Sequence, residues 1–165
     1  MTQQQQDPII KLYFDLIKKS APDAFKAFYY GDPIRIPASF LPAVIGTRRM
    51  TQTTYGTSQE DEHSMQIVLT VVTDIRKDIS DETQLVPGWN RLFDIVEGRD
   101  PTTLLLKTTS LLNMIRHGYA LANNVWTDVR TATKVDYGLV SNKRAPGAWS
   151  IEAALTTTCT LVQIR

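Results

Sequence analysis

Residues 65–75 read MQIVLTVVTDI, and no other stretch of the chain constrains the architecture as tightly. Met65, Ile67, Leu69, Val71 and Ile75 fall on one face at the two-residue period of a strand, while Gln66, Val68, Thr70, Val72 and Asp74 fall on the other. One face is strongly apolar and the other mixed. A strand of this kind belongs to a sheet that buries one side under helices. The acidic triplet Glu60, Asp61 and Glu62 leads into it and reads as a solvated loop.

Working toward the amino terminus, Ala43 to Thr47 is a short apolar run and Arg49 to Thr57 is rich in threonine around Tyr55. Both are compatible with strands, joined near Gly46. From Ala21 to Pro42 the chain is interrupted by Pro22, Gly31, Pro33, Pro37 and Pro42, which predicts ordered loop with a short strand. Asp7 and Pro8 have the chemistry of a helix N-cap and first-turn residue, and Ile9, Leu12, Tyr13, Leu16 and Ile17 follow at helical spacing. Residues 1–6, mostly glutamine, are expected to be a flexible polar leader.

Working toward the carboxyl terminus, Asp78 to Gln84 reads as a polar loop. Pro87 opens a helical pattern through Trp89, Leu92, Phe93 and Val96 that Gly98 closes. Asp100 and Pro101 then begin what the spacing of Leu104, Thr108, Leu111, Leu112, Ile115 and Tyr119 predicts as the longest helix. Trp126 to Val140 and Trp149 to Ile164 have strand composition and flank a loop, Ser141 to Gly147. They are expected to pair as an antiparallel hairpin. The pattern predicts one α+β domain spanning 1–165, with a mainly antiparallel sheet and helices on one face.

Composition narrows the function. With 165 residues the chain is long enough for one core, and 18 basic against 17 acidic side chains give a charge of +1. No global field steers it toward nucleic acid or an anionic membrane. Cys159 is the single cysteine, so no internal disulfide or multi-cysteine zinc site is possible. The amino terminus lacks the basic and apolar regions of a secretory signal, and no apolar run has the length of a membrane span, so cytoplasmic synthesis and no membrane partner are expected.

The sequence contains no GxGxxG, GxxxxGK, HExxH, GxSxG or calcium-loop pattern, and no catalytic residue, metal ligand or cofactor is assigned from it. His63, beside the acidic triplet, offers a weak cation site, against the commoner reading of a solvent-facing turn histidine. His117 and Arg116 suit a helix carboxyl end. Cys159 sits in register on an alternating strand, which favours a small buried hydrophobe over a nucleophile. The basic doublets Arg48–Arg49 and Lys143–Arg144, in expected loops, and Tyr55 and Trp149 are the candidate partner contacts.

The passage YGDPIRIPASFLPAVI, residues 30–45, resembles the tail terminator (tail completion or neck) proteins of tailed phages, where a first helix leads through GDP and LPA phrases into the first strands. The later order of a long strand, a helical stretch over Trp89 to Asn123 and a closing hairpin fits the same family. The resemblance implies a tail-terminator-like fold in a virion subunit of the tail and neck. Such a subunit forms a homo-oligomeric ring, usually hexameric, on the tail tube protein and meets the head-completion or stopper protein, and DNA passes through without sequence-specific binding. It places tube or neck contacts in the regions Arg48 to Glu62 and Ser141 to Gly147, with Glu60, Asp61 and Glu62 facing the channel. A head-completion adaptor or stopper is the alternative structural role, and a small hydrolase using carboxylates gathered only by folding is the enzymatic one.

Overall fold

The structure is a computed structural model and describes residues 6–57, 59–76, 86–138, 140, 141, 143, 144 and 149–164. Residues 1–5 of the expected polar leader over 1–6, and the loop from Asp78 to Gln84, lie outside them. Among the described residues the order is α1 (Pro8–Ser20), β1 (Ala27–Tyr30), a 3-10 turn (Ala38–Phe40), β2 (Ala43–Thr57), β3 (Glu60–Asp74), α2 (Val86–Glu97), α3 (Leu111–His117), β4 (Ala120–Ala122), β5 (Val125–Thr127), β6 (Lys134–Tyr137) and β7 (Ser150–Ile164).

The strands form one seven-stranded sheet in the order β1-β2-β3-β7-β5-β4, with β6 also on β7. Only β1–β2 is parallel. The chain is therefore α+β with a mainly antiparallel sheet. Three central strands of 15 residues each dominate it. At about 3.3 Å per residue each is roughly 50 Å long.

Alternation in β3 sorts its faces as the sequence predicts. Met65, Ile67, Leu69, Val71 and Thr73 are all buried on the side covered by helices. Their β7 partners Cys159, Thr157, Leu155, Ala153 and Ile151 share that face. The helix α1 lays Ile10, Tyr13, Phe14 and Ile17 on it, and α2 and α3 add Leu92, Val96, Leu111 and Ile115. Asp7 caps α1 by accepting from the N–H groups of Ile9 (2.9 Å) and Ile10 (3.4 Å), as its type and position before Pro8 predict. Where β2 runs beneath α1 it carries Gly46, whose missing side chain makes room for Ile10 and Phe14. The opposite face has a smaller core of Ile36, Leu41, Ala43, Ile45 and Val72, made where the loop before β2 folds over it.

Four expectations change. Ala43 to Thr57 is one strand with a bulge between Arg48 and Met50, not two strands joined near Gly46; glycine is needed there for helix clearance, not for a turn. Glu60, Asp61 and Glu62 begin β3 instead of forming a loop, because their backbone is paired on both sides, to β2 and β7. The expected longest helix shrinks to the seven residues of α3. Asp100 accepts from the N–H groups of Thr102 and Thr103, Leu104 takes a positive φ of 60°, and Arg99 bridges to Leu106. Local side-chain capping thus outcompetes helical pairing until Ser110 caps α3. Finally, Trp126 to Val140 breaks into β5 and β6, which pair in succession with β7. Between them Asp128 accepts from Arg130 N–H and the Thr131 hydroxyl.

Candidate interaction surfaces

The three long strands are covered over only part of their length. From the level of the α1 N-cap outward, Arg48 to Tyr55 are exposed in β2, and Glu60 to Ser64 in β3 are partly or fully exposed. The last residues of β7, Gln163 and Ile164, are exposed beside them. This end is an arm roughly 25 Å long. Tyr55 is 81% exposed near its tip, and Met50 53% near its base.

The base of the arm is tied to the helix. Arg48 shares the helix-covered face with Ile67, where it pairs with the Asp7 carboxylate at 2.9 Å and reaches Met65 Sδ at 3.6 Å. The side chain picked out as a candidate partner contact therefore serves within the chain, bracing the N-cap of α1 against β2. Arg49 occupies the bulge and is exposed. Both lie in a strand and not in the expected loop.

Pairing also divides the acidic triplet. Glu60 and Glu62 share the face away from the helices with Thr54, Ile164 and Val162, whereas Asp61 lies on the other face beside Tyr55 and Gln163. The triplet expected to be a channel-facing loop is thus a strand segment that turns two carboxylates one way and one the other. His63 accepts or donates a 2.9 Å hydrogen bond with Thr53 across the same pair of strands. Among the described residues no group of three His, Cys, Asp or Glu is placed to hold a metal ion.

Behind the arm, the face away from the helices carries Gln66, Thr70, Thr156 and Thr158, all half-buried, and Thr160. It is a hydroxyl-rich strip, bordered on the same face by the exposed Lys134–Asp136 ion pair of β6. At its far end Arg144 crosses it, bonding Glu152 through Nε at 2.6 Å, the Asp32 carboxylate, and the Pro33 carbonyl at 3.2 Å. Burial opposes the Arg144 charge, but Glu152 and Asp32 outweigh it and hold its pKa above the usual value. Arg144 is an internal staple that holds the loop before β2 to β7. A shallow open groove of about 460 Å³ beside it is lined by Asp32, Ile34, Lys143 and Glu152 among others. Lys143 is exposed, and Trp149 is 43% exposed where it flanks β7.

Among the described residues, the carboxylates with shifted titration lie apart from one another. Asp74, Asp100 and Asp128 are each held below the usual carboxylate range. Asp74 is raised by burial, but Arg76 more than reverses that; Asp100 is lowered by the N–H groups of Thr103 and Thr102, and Asp128 by the Thr131 hydroxyl and Arg130 N–H. Each serves its own turn. Burial pushes the Cys159 thiol up to about 11, consistent with a packed side chain. Tyr13, also raised by burial, shares a 2.9 Å hydrogen bond with Thr127 in the core.

Sequence reasoning missed three features: the arm, the Asp7–Arg48 tie and the exposed edge of β4. The first had a signal in the threonine-rich stretch TQTTYGT, residues 51–57, which carries no apolar alternation to bury. No protein-family model matches the chain, and no curated protein matches it.

Proposed function

We propose that the chain is a non-enzymatic structural subunit of a tailed-phage virion, a tail terminator that assembles into a ring, caps the tail tube and joins it to the head-completion proteins. The arm carries this reading. A sheet end with little apolar surface to bury gains little from its own chain, and the threonine-rich stretch from Thr51 to Thr57, uncharged and at a sheet edge, is a liability unless a partner covers it. Ring subunits need such surfaces and require no catalytic constellation. The resemblance of residues 30–45 to the tail terminators supplies the identity of the partner.

Other features fit. The face away from the helices offers hydroxyls, cations that are paired with carboxylates in Lys134–Asp136 and Arg144–Glu152, and Glu60 and Glu62 at its end, a surface suited to letting DNA pass without holding it. The dispersed, individually capped carboxylates favour a structural role over a hydrolase.

The test is electron microscopy of purified tails of the encoding virus, assembled without this chain and then incubated with it. Rings at the head-proximal ends of the tubes are expected. Rings found only on portal-bearing heads that lack tails would overturn the assignment and favour the adaptor or stopper role.

A further inference from the structure

The sheet has two open edges at the same height. Past β1, which ends its pairing at Gly46, the outer edge of β2 has no strand beside it among the described residues. On the far side, the outer edge of β4 is equally open. The ladder links them row by row. One row runs Gln52–Ser64–Thr160–Trp126–Ala120, and the next Thr53–His63–Leu161–Val125–Ala122. Each row begins at one open edge and ends at the other.

We propose that β2 of one copy adds to β4 of the next, so that the ring closes through a continuous sheet. This rests on the ring reading above and specifies its contact. Both strands run the same way along the sheet, since three antiparallel steps and a fourth separate them; the junction is therefore parallel. Because matched rows emerge at both edges, the strands meet without axial offset, the condition for a head-to-tail contact to close instead of climbing into a filament.

Side chains agree with this pairing. Ala120 and Ala122 are exposed and small, which allows close backbone approach, and Thr51 to Thr57 contain no charge or proline to guard the edge. Charge is complementary lower down. Arg49 stands at one edge beside Met50, whose row passes through Gln66 to Thr158. Asp128, whose N–H donates to the Thr158 carbonyl at 2.8 Å, stands at that same level toward the other edge. A two-fold β2–β2 contact would leave β4 and Asp128 unused and could not propagate around a ring.

The test is thiol cross-linking with a short bismaleimide of the double variant Gln52→Cys, Ala120→Cys, in solution and on tail tubes. Both positions are exposed and lie in one row, and the native Cys159 is buried. A ladder of dimer, trimer and higher species is expected from the double variant, and none from either single variant. Arg49→Glu added to the double variant should weaken the whole ladder, dimer included. A dimer from Gln52→Cys alone would overturn the proposal in favour of two-fold pairing. Rings on tubes with no ladder would overturn this contact while leaving the ring reading intact; absence of both rings and ladder would sink the two together.

Discussion

The two ends of the same three strands differ sharply. In the body, β3 from Ile67 to Val72 is covered on the helix side by α1, α2 and α3, and Ile67, Leu69, Val71 and Val72 are fully buried. In the arm, the same ladder continues through Thr53↔His63 and Tyr55↔Asp61, where Thr53 and Tyr55 are exposed and His63 and Asp61 only half-buried. Backbone pairing is therefore indifferent to burial here. What changes is the side-chain layer, and with it the job: the body holds the fold, and the arm is available to a partner.

The comparison breaks most visibly in the body. Leu69 is central in β3 and inaccessible to solvent, packed between Gly46 of β2 and Leu155 of β7. Leu69→Ala is expected to cost about 2–5 kcal/mol through lost transfer free energy and a residual cavity. Urea unfolding monitored by circular dichroism measures it. A loss under about 1 kcal/mol would mean that the body collapses around the gap and that the two ends are not energetically distinct.

Gly46 marks the boundary. A Cβ there would stand 2.3 Å from Ile10 Cγ2 and 2.9 Å from Phe14 Cζ. Gly46→Ala should therefore destabilise by about 1–3 kcal/mol through overpacking, even though alanine is a better strand residue than glycine. An increase in melting temperature would show that α1 rides over β2 more loosely than the distances imply. The same substitution logic fails a few residues later, where nothing covers β2.

What the sequence disclosed follows this division. The alternation from Met65 to Ile75 and from Ile151 to Cys159 was legible because each of those residues has one buried face to satisfy. Asp7 was legible as a cap because its oxygen acts on N–H groups two and three residues away. Arg48 and Glu60 were not, since their roles depend on a partner far along the chain or on pairing to two other strands. The helical stripe from Leu104 to Tyr119 misled because spacing alone cannot reveal that Asp100 closes a tight turn around an exposed Leu104. The candidate surface shared this limit. Tyr55 was visible as an aromatic in a threonine run, but the matched open edges of β2 and β4 exist only once β7 lies between β3 and β5.

Tyr55 gives the smallest expected effect on stability and the sharpest separation of the two ends. Its ring is 81% exposed at the far end of the arm, so truncation removes little buried area and opens no cavity. Tyr55→Ala should change the unfolding free energy by less than about 0.5 kcal/mol, within the usual range for surface positions. On the ring, however, an aromatic at a strand edge is the kind of side chain that anchors an interface. Its loss there should weaken association by about 2 kcal/mol, roughly thirty-fold, read as reduced occupancy of tube ends at limiting concentration. If Tyr55→Ala instead lowered stability by as much as Gly46→Ala while leaving occupancy unchanged, the arm would belong energetically to the body, and its exposure would have nothing to do with assembly.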